Sequence, residues 1–264
     1  MSRGCKIFRY LFAWLALLFL GGVQTQAAVL YATGFENPPF VPGPINGQAG
    51  WFVFSASGQT SAPVIETTVV NTGAQAVGVP GSVNGQTGPV FAPNFTNPVL
   101  DLSADIFLGS STNESSWQFA TTGANDTGYA GGIDISGTSI AAITSGFPVV
   151  GTLTRDTWHH LDVVLDYLTQ TFGLDLDGST LATNLPYCGN NFGPCNGAPV
   201  AELGWALFNT FGNGNDSGYM DNFSIATVPA GVPEPASITL LAIALFGLGA
   251  TRRTRARGLS LPIS

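Results

Sequence analysis

The stretch TWHHLDVVLDYLTQTFGLDLDG, residues 157–178, decides the fold class. Apolar side chains stand at every second position from Leu161 to Leu165 and again from Phe172 to Leu176, and Asp162 and Asp175 occupy two of the four positions between them. Successive side chains of a strand point to opposite faces, so each half is predicted to be a strand with one face on a core and the other in water. Asp177-Gly178 then favours a two-residue hairpin turn. The stretch therefore predicts neighbouring antiparallel strands.

The rest of the chain continues this pattern. Its 264 residues include 34 Gly and 17 Pro, and only 9% are charged, which suits a turn-rich all-β protein. Short alternating or apolar runs, separated by Gly, Asn, Asp and Pro, recur from Val29 to Thr227 with almost no amphipathic helix. We predict an all-β, two-sheet antiparallel jelly-roll sandwich over residues 28–228.

The charge distribution excludes one class of partner. Between residues 28 and 231, Arg155 is the single basic residue and faces fifteen acidic ones. Proteins bind phosphate backbones mainly through Lys and Arg. We therefore expect no nucleic-acid partner and no anionic-membrane ligand for this part of the chain.

The N-terminus has the three parts of a secretory signal. A basic segment, MSRGCKIFRY, precedes the apolar run LFAWLALLFL, and GGVQTQAA ends in small residues that suit a signal peptidase. We predict a signal peptide over residues 1–27. The alternative is an uncleaved anchor helix, although the run is shorter than the roughly 20 residues needed to span a bilayer.

Two cysteines follow the predicted signal peptide, in LPYCGNNFGPCNGAP. An exported chain meets an oxidising compartment, so Cys188 and Cys195 are predicted to form a disulfide that closes this loop. A zinc site is the weaker alternative, because it usually needs four N or S ligands and no histidine is near.

The C-terminal region contains an apolar run from Ser237 to Ala250, predicted to be a short transmembrane helix. Four arginines follow it, and they should remain in the cytoplasm under the positive-inside rule. They are Arg252, Arg253, Arg255 and Arg257. The simplest interpretation is a C-terminal membrane anchor.

Residues 229–258 also resemble the PEP-CTERM sorting signal of Gram-negative bacteria, because the helix and arginines follow Val232, Pro233, Glu234 and Pro235 directly. The resemblance implies that the partner is an exosortase, which removes the tail. The protein would then be exported through the inner membrane, anchored transiently by the helix, and passed to the cell surface or the extracellular polysaccharide. Residues 259–264 extend beyond the usual ending.

The central domain resembles the concanavalin A-like (laminin G-like) jelly roll. The similarity lies in GFENPPFVPGPINGQAGW (Gly34–Trp51), in Gly73–Val77, in Thr157–His159 and in Gly218–Phe223. Laminarinase-type hydrolases of this fold alternate two glutamates and an aspartate on one strand, and no such array occurs here. The pair Asp162 and Asp166 comes nearest to that array, but two aspartates at this spacing are more typical of the solvated face of a strand. We therefore expect no enzymatic activity, no catalytic residues and no certain cofactor.

Two functions remain open. One is an exported surface or matrix protein associated with exopolysaccharide, and the other is a lectin-like, Ca²⁺-assisted carbohydrate-binding domain on the same export route. Aromatic side chains could stack on sugars, and oxygen-bearing side chains of the loops GANDTG and FGNGNDSG could bind Ca²⁺. The stacking candidates are Trp117, Tyr129, Trp205 and Tyr219, and the Ca²⁺ candidates are Asp126, Asn215, Asp216 and Asp221. The alternative is that Trp117 and Trp205 fill the core and that the Asp and Asn residues form turns.

Overall fold

The structure is a computed structural model that describes residues 27–55, 62–81, 85–189, 195–212 and 214–228. These residues belong to one compact unit, Ala27–Val228. The predicted signal peptide, the sorting motif, the apolar run 237–250 and the arginines after it lie outside the described residues. Within the described ranges, no helix is long and apolar enough to cross a membrane.

Sixteen strands and a single turn of 3-10 helix form the described part of this unit, and the predicted all-β class is confirmed. Nine strands make sheet A, in the order β14-β13-β12-β7-β16-β5-β4-β2, with β1 also paired to β16. They are β1 (Val29–Thr33), β2 (Gly43–Pro44), β4 (Val64–Glu66), β5 (Ala76–Pro80), β7 (Val99–Leu108), β12 (Trp158–Asp166), β13 (Thr171–Leu176), β14 (Ser179–Pro186) and β16 (Ser217–Thr227).

The other seven strands make sheet B, in the order β11-β10-β9-β8-β15-β6-β3. They are β3 (Trp51–Ser55), β6 (Gly85–Phe91), β8 (Ser116–Thr122), β9 (Tyr129–Ser136), β10 (Ser139–Ala142), β11 (Val149–Thr152) and β15 (Trp205–Gly212). The helical turn, Ala124–Asp126, lies between β8 and β9. All pairings between neighbouring strands are antiparallel, as a jelly-roll sandwich requires.

The stretch that predicted the fold forms β12 and β13 and the turn into β14. Along β12 the residues from His159 to Leu165 alternate between buried and less buried, as predicted. Asp177 and Gly178 connect β13 to β14 with φ of 53° and 72°. Two positive φ values match the twist of a tight hairpin, which explains the Asp-Gly pair.

The main core lies between the two sheets. Leu161, Val163 and Leu165 of β12 belong to the same buried cluster as Phe119 of β8 and Phe208 of β15. Burial of such side chains contributes about 1.5–3 kcal/mol each. Because each strand buries alternate residues here, its remaining side chains form the outer face of its sheet.

The predicted disulfide is confirmed: Cys188 and Cys195 are bonded. Cys188 is buried in a second apolar cluster with Val90, Ala120, Ile143 and Leu207. Ala120 and Leu207 alternate with core residues along β8 and β15, so this cluster lies on the outer face of sheet B. The disulfide-bonded segment thus covers part of that face.

Candidate functional site

Three polar side chains from adjacent strands form a row across the outer face of sheet B. The strand register places Gln118 of β8 opposite both Asp134 of β9 and Asn209 of β15. Gly88 of β6 follows beside Asn209, and Phe54 of β3 is opposite Gly88. We call Asp134, Gln118 and Asn209 the polar row.

The hydrogen bonds of the polar row are incomplete. Ser116 Oγ donates to Asp134 Oδ1 at 2.9 Å, and Gln118 Nε2 donates to Asp134 Oδ2 at 2.8 Å. Gln118 Oε1 and both Oδ1 and Nδ2 of Asn209 are buried, and none of these atoms has a hydrogen-bond partner among the described residues. Asn209 is only 1% exposed. A buried polar group without a partner costs about 1–3 kcal/mol, so this arrangement is unfavourable unless something else completes it.

Gly88 is necessary for the close approach of β6 to β15 at this point. A Cβ atom at Gly88 would lie 2.5 Å from Asn209 Cβ, closer than real atoms come. The position beside Asn209 on β6 therefore carries no side chain.

Partly exposed aromatic residues lie beside the polar row. Phe52, Phe54, Tyr129 and Trp205 pack on the second apolar cluster. The Trp205 ring is 5.3 Å from Phe52 and 6.4 Å from Phe54, centroid to centroid. The polar row and these four aromatic residues together are called the sheet B face below. Such a combination of apolar rings and polar groups is what a sugar ring with its hydroxyls requires.

The pKa of Tyr129 reflects the burial and the negative charge at this face. Burial, together with the charges of Asp126 and Asp134, raises the pKa of its hydroxyl to about 12. The hydroxyl therefore keeps its proton at physiological pH and remains a hydrogen-bond donor. The same environment opposes any other anion at this place.

Two of the four predicted stacking residues, Tyr129 and Trp205, lie together on the sheet B face, where the register pairs both with Thr122. Trp117 does not, and its prediction as a stacking residue is wrong. It is fully buried between the sheets, stacks on Phe208 at 5.5 Å, and donates from Nε1 to Asp216 Oδ2 at 2.7 Å. As in the alternative interpretation, Trp117 fills the core.

Tyr219, the fourth stacking candidate, lies on the outer face of sheet A. Its ring packs edge-on against Phe107 at 5.7 Å, and Phe107 also contacts Trp158. It therefore shares no surface with Tyr129 and Trp205, because the core separates the two outer faces.

The four predicted Ca²⁺ ligands lie in three separate places. Asp126 ends the helical turn before β9, Asn215 and Asp216 precede β16, and Asp221 lies inside β16. Among the described residues, no group of three or more His, Cys, Asp or Glu side chains could hold a metal ion. The fold thus separates the four candidates along the chain, and Ca²⁺ binding by Asp126, Asn215, Asp216 or Asp221 stays a prediction.

Two of these carboxylates have structural partners instead. Asp216, 3% exposed, forms an ion pair with Arg155 and accepts a hydrogen bond from Ser115 N at 2.8 Å. Asp221 accepts hydrogen bonds from Asn71 N at 3.2 Å and Thr72 N at 3.0 Å, which fixes the loop before β5. Their acceptor capacity is largely used inside the protein.

The polar groups around His160 on sheet A are satisfied by one another. His160 Nδ1 is 2.6 Å from Asp105 Oδ1, and Nε2 is 3.3 Å from Asp162 Oδ1. Asp105 Oδ2 accepts hydrogen bonds from Asn71 and Asn222 at 2.6 Å. Partial burial opposes protonation of His160, but the two carboxylates outweigh it and raise its pKa. These contacts account for the presence of His160 on this strand, and no ligand is needed to explain it.

Sequence reasoning missed the polar row and the two phenylalanines Phe52 and Phe54. One signal was available for Asn209, since it interrupts the apolar positions of WALFNTFG on the face that carries Trp205, Leu207 and Phe211. Nothing in the local sequence connects it with Gln118 or Asp134, because those residues are distant in the chain.

Comparison with known proteins establishes the fold. No family model matches the chain, and no curated protein matches it. Among solved structures, the one titled "Cellulose induced protein, Cip1" is 16% identical to this chain and has a TM-score of 0.55. The match covers 76% of this chain and 99% of that protein. A protein of unknown function with a galectin-like fold from Bacillus subtilis is 11% identical with a TM-score of 0.50, covering 76% and 97%.

A sialidase is 12% identical with a TM-score of 0.50, and the match covers 68% of this chain but 17% of the sialidase. The chain therefore spans only a small part of that enzyme. Similarities at these identities show the fold alone, a jelly-roll β-sandwich.

Proposed function

We propose that this protein is a non-catalytic carbohydrate-binding protein whose ligand lies on the sheet B face. The observation that carries the proposal is the group of partly exposed aromatic rings, Phe52, Phe54, Tyr129 and Trp205, beside the partly exposed carboxylate of Asp134. Sugar hydroxyls can donate hydrogen bonds to Asp134, while Trp205 and Tyr129 contact the apolar sugar faces.

A binding function without catalysis also agrees with the composition of the face. Asp134 is the single carboxylate that points outward from β6, β8, β9 and β15. Retaining and inverting glycosidases both use a pair of carboxyl groups flanking the scissile bond. One carboxylate, already engaged by Ser116 and Gln118, does not make such a pair.

The proposal includes delivery to the cell surface of a Gram-negative bacterium. Its support is the sequence alone, namely the signal-like N-terminus and the Val232–Pro235 motif before an apolar run and four arginines. On this route an exosortase removes the tail, and the domain then works outside the inner membrane, in contact with exopolysaccharide.

The test measures binding of the full chain, kept soluble in detergent, to β-glucan, mannan, galactan and xylan by affinity electrophoresis. We expect selective binding to at least one polymer. Trp205→Ala and Tyr129→Ala should each weaken it about tenfold or more, as central contacts do.

The matched control is Tyr219→Ala, which removes a partly exposed aromatic ring from sheet A and should leave binding unchanged. Binding to none of the four polymers would contradict the proposal. So would binding that survives Trp205→Ala and Tyr129→Ala but is lost in Tyr219→Ala.

A further inference from the structure

We propose that the sheet B face selects neutral glycans and rejects glycans that carry carboxylate or sulfate groups, and that Asp134 is the residue that sets this preference. The inference rests on the proposed function and specifies the ligand class of the same site.

The single arginine of the domain is already paired with carboxylates inside the fold. Arg155 is 7% exposed and forms ion pairs with Glu114 Oε1, at 3.1 Å, and with Asp216. It also donates to the carbonyl oxygens of Gly109 and Gly137. No other Lys or Arg occurs between residues 28 and 231, so no free cation is present to receive an anionic sugar.

Asp134 itself is the hydrogen-bond acceptor that the polar row presents to a ligand. It is partly exposed, and Ser116 Oγ and Gln118 Nε2 donate to its two carboxylate oxygens at 2.9 and 2.8 Å, which fixes the carboxylate in place. A sugar hydroxyl can donate a further hydrogen bond to these oxygens, whereas a carboxylate or sulfate group has no proton to donate and is repelled.

The sheet B face already carries negative charge. Asp134 is partly exposed at the end of the row, and Asp126 lies near Tyr129 on the same side. The raised pKa of Tyr129, caused by burial and then by these two carboxylates, shows that negative charge is disfavoured here. A ligand anion at the face experiences the same repulsion.

The experiment uses pairs of polymers that differ only in charge: soluble β-glucan, mannan and galactan, and each of them oxidised at C6 to the uronate. Binding of the full chain in detergent is compared within each pair at low ionic strength. We expect the oxidised form of the bound polymer to bind about tenfold more weakly. Asp134→Asn should reduce this difference about fivefold, and added salt should reduce it as well.

The matched control is Asp175→Asn, which removes an equal charge from the outer face of sheet A and should leave the difference unchanged. Equal binding of neutral and oxidised polymers would overturn this inference while leaving the proposed function intact. A difference that Asp134→Asn and Asp175→Asn reduce alike would also overturn it, because net charge would then be the cause. Binding of no polymer in either form would overturn the proposed function and this inference together.

Discussion

At the scale of single residues, the sandwich keeps two kinds of polar group. Asp105 and Asp221 lie within strands but are surrounded by donors, so their role is to hold neighbouring segments together. Asn209 occupies a similar position, and within the described residues its side chain has no hydrogen-bond partner. Replacing this buried amide by an apolar side chain of similar size should therefore cost little stability.

Asp101 is the residue for which pH should matter most. Burial, and then the nearby Asp162 and Asp175, raise its pKa from 3.8 to about 6. The folded state therefore holds this proton more tightly than the unfolded state, so the stability gained from it is complete below about pH 4 and is lost as the pH rises through 6.

We expect Asp101→Asn to become stabilising relative to the natural protein as the pH rises from 4 to 7. The difference in unfolding free energy between the two proteins should grow by about 1 kcal/mol, since partial exposure of Asp101 weakens the effect. Urea unfolding of both proteins at pH 4 and pH 7 measures it. A difference that stays constant with pH would show that Asp101 titrates normally.

At the scale of elements, the disulfide links the end of the β14 region to the segment that leads to β15. Asn196 N and Gly197 N donate to the Cys188 carbonyl oxygen at 3.0 and 2.9 Å, so the two arms are also joined by backbone hydrogen bonds. Gly189 N donates to the Tyr129 carbonyl oxygen, which ties this segment to the start of β9 and to the sheet B face.

Replacing both cysteines by alanine should lower the unfolding free energy by about 2 kcal/mol, as expected for a short closed loop. It should also weaken glycan binding, because Cys188 and Cys195 pack with Trp205 and Tyr129 in one cluster. Denaturant unfolding and affinity electrophoresis measure the two effects. Reduced natural protein should behave like the double variant, and an unchanged unfolding midpoint in both would refute the stabilising role.

At the scale of the whole molecule, the first and last strands of the described unit are neighbours. Strand β1 pairs with β16, and Thr227 N donates to the Ala28 carbonyl oxygen at 2.9 Å. Cleavage before residue 28 and beyond residue 228 would thus leave both end strands of the sandwich paired, which makes processing at both ends compatible with a folded domain.

The sorting proposal predicts a specific change in mass. In a host with an exosortase, the released protein should lack the residues after the Pro-Glu-Pro region, and in a host without the enzyme it should not. Intact-mass analysis of membrane and medium measures this. A variant with Pro233→Ala and Pro235→Ala should remain uncleaved in both hosts, and a full-length natural protein in both hosts would leave a simple C-terminal anchor.

The sequence by itself determined the features that depend on neighbouring residues. Alternation in Leu161–Leu165 predicted a strand with one buried face, Asp177-Gly178 predicted the turn, and the close spacing of Cys188 and Cys195 predicted their bond. These predictions succeed because strand geometry, turn conformation and short-loop closure are local properties of the chain.

Only the tertiary structure decided which side chains share a surface. It placed Trp117 in the core and Trp205 on the sheet B face, although both are tryptophans at the N-terminal ends of strands. It also brought Asp134, Gln118 and Asn209 into one row. The physical reason is that strand order and register join residues far apart in sequence, and shifting the register by one residue would move every side chain to the opposite face.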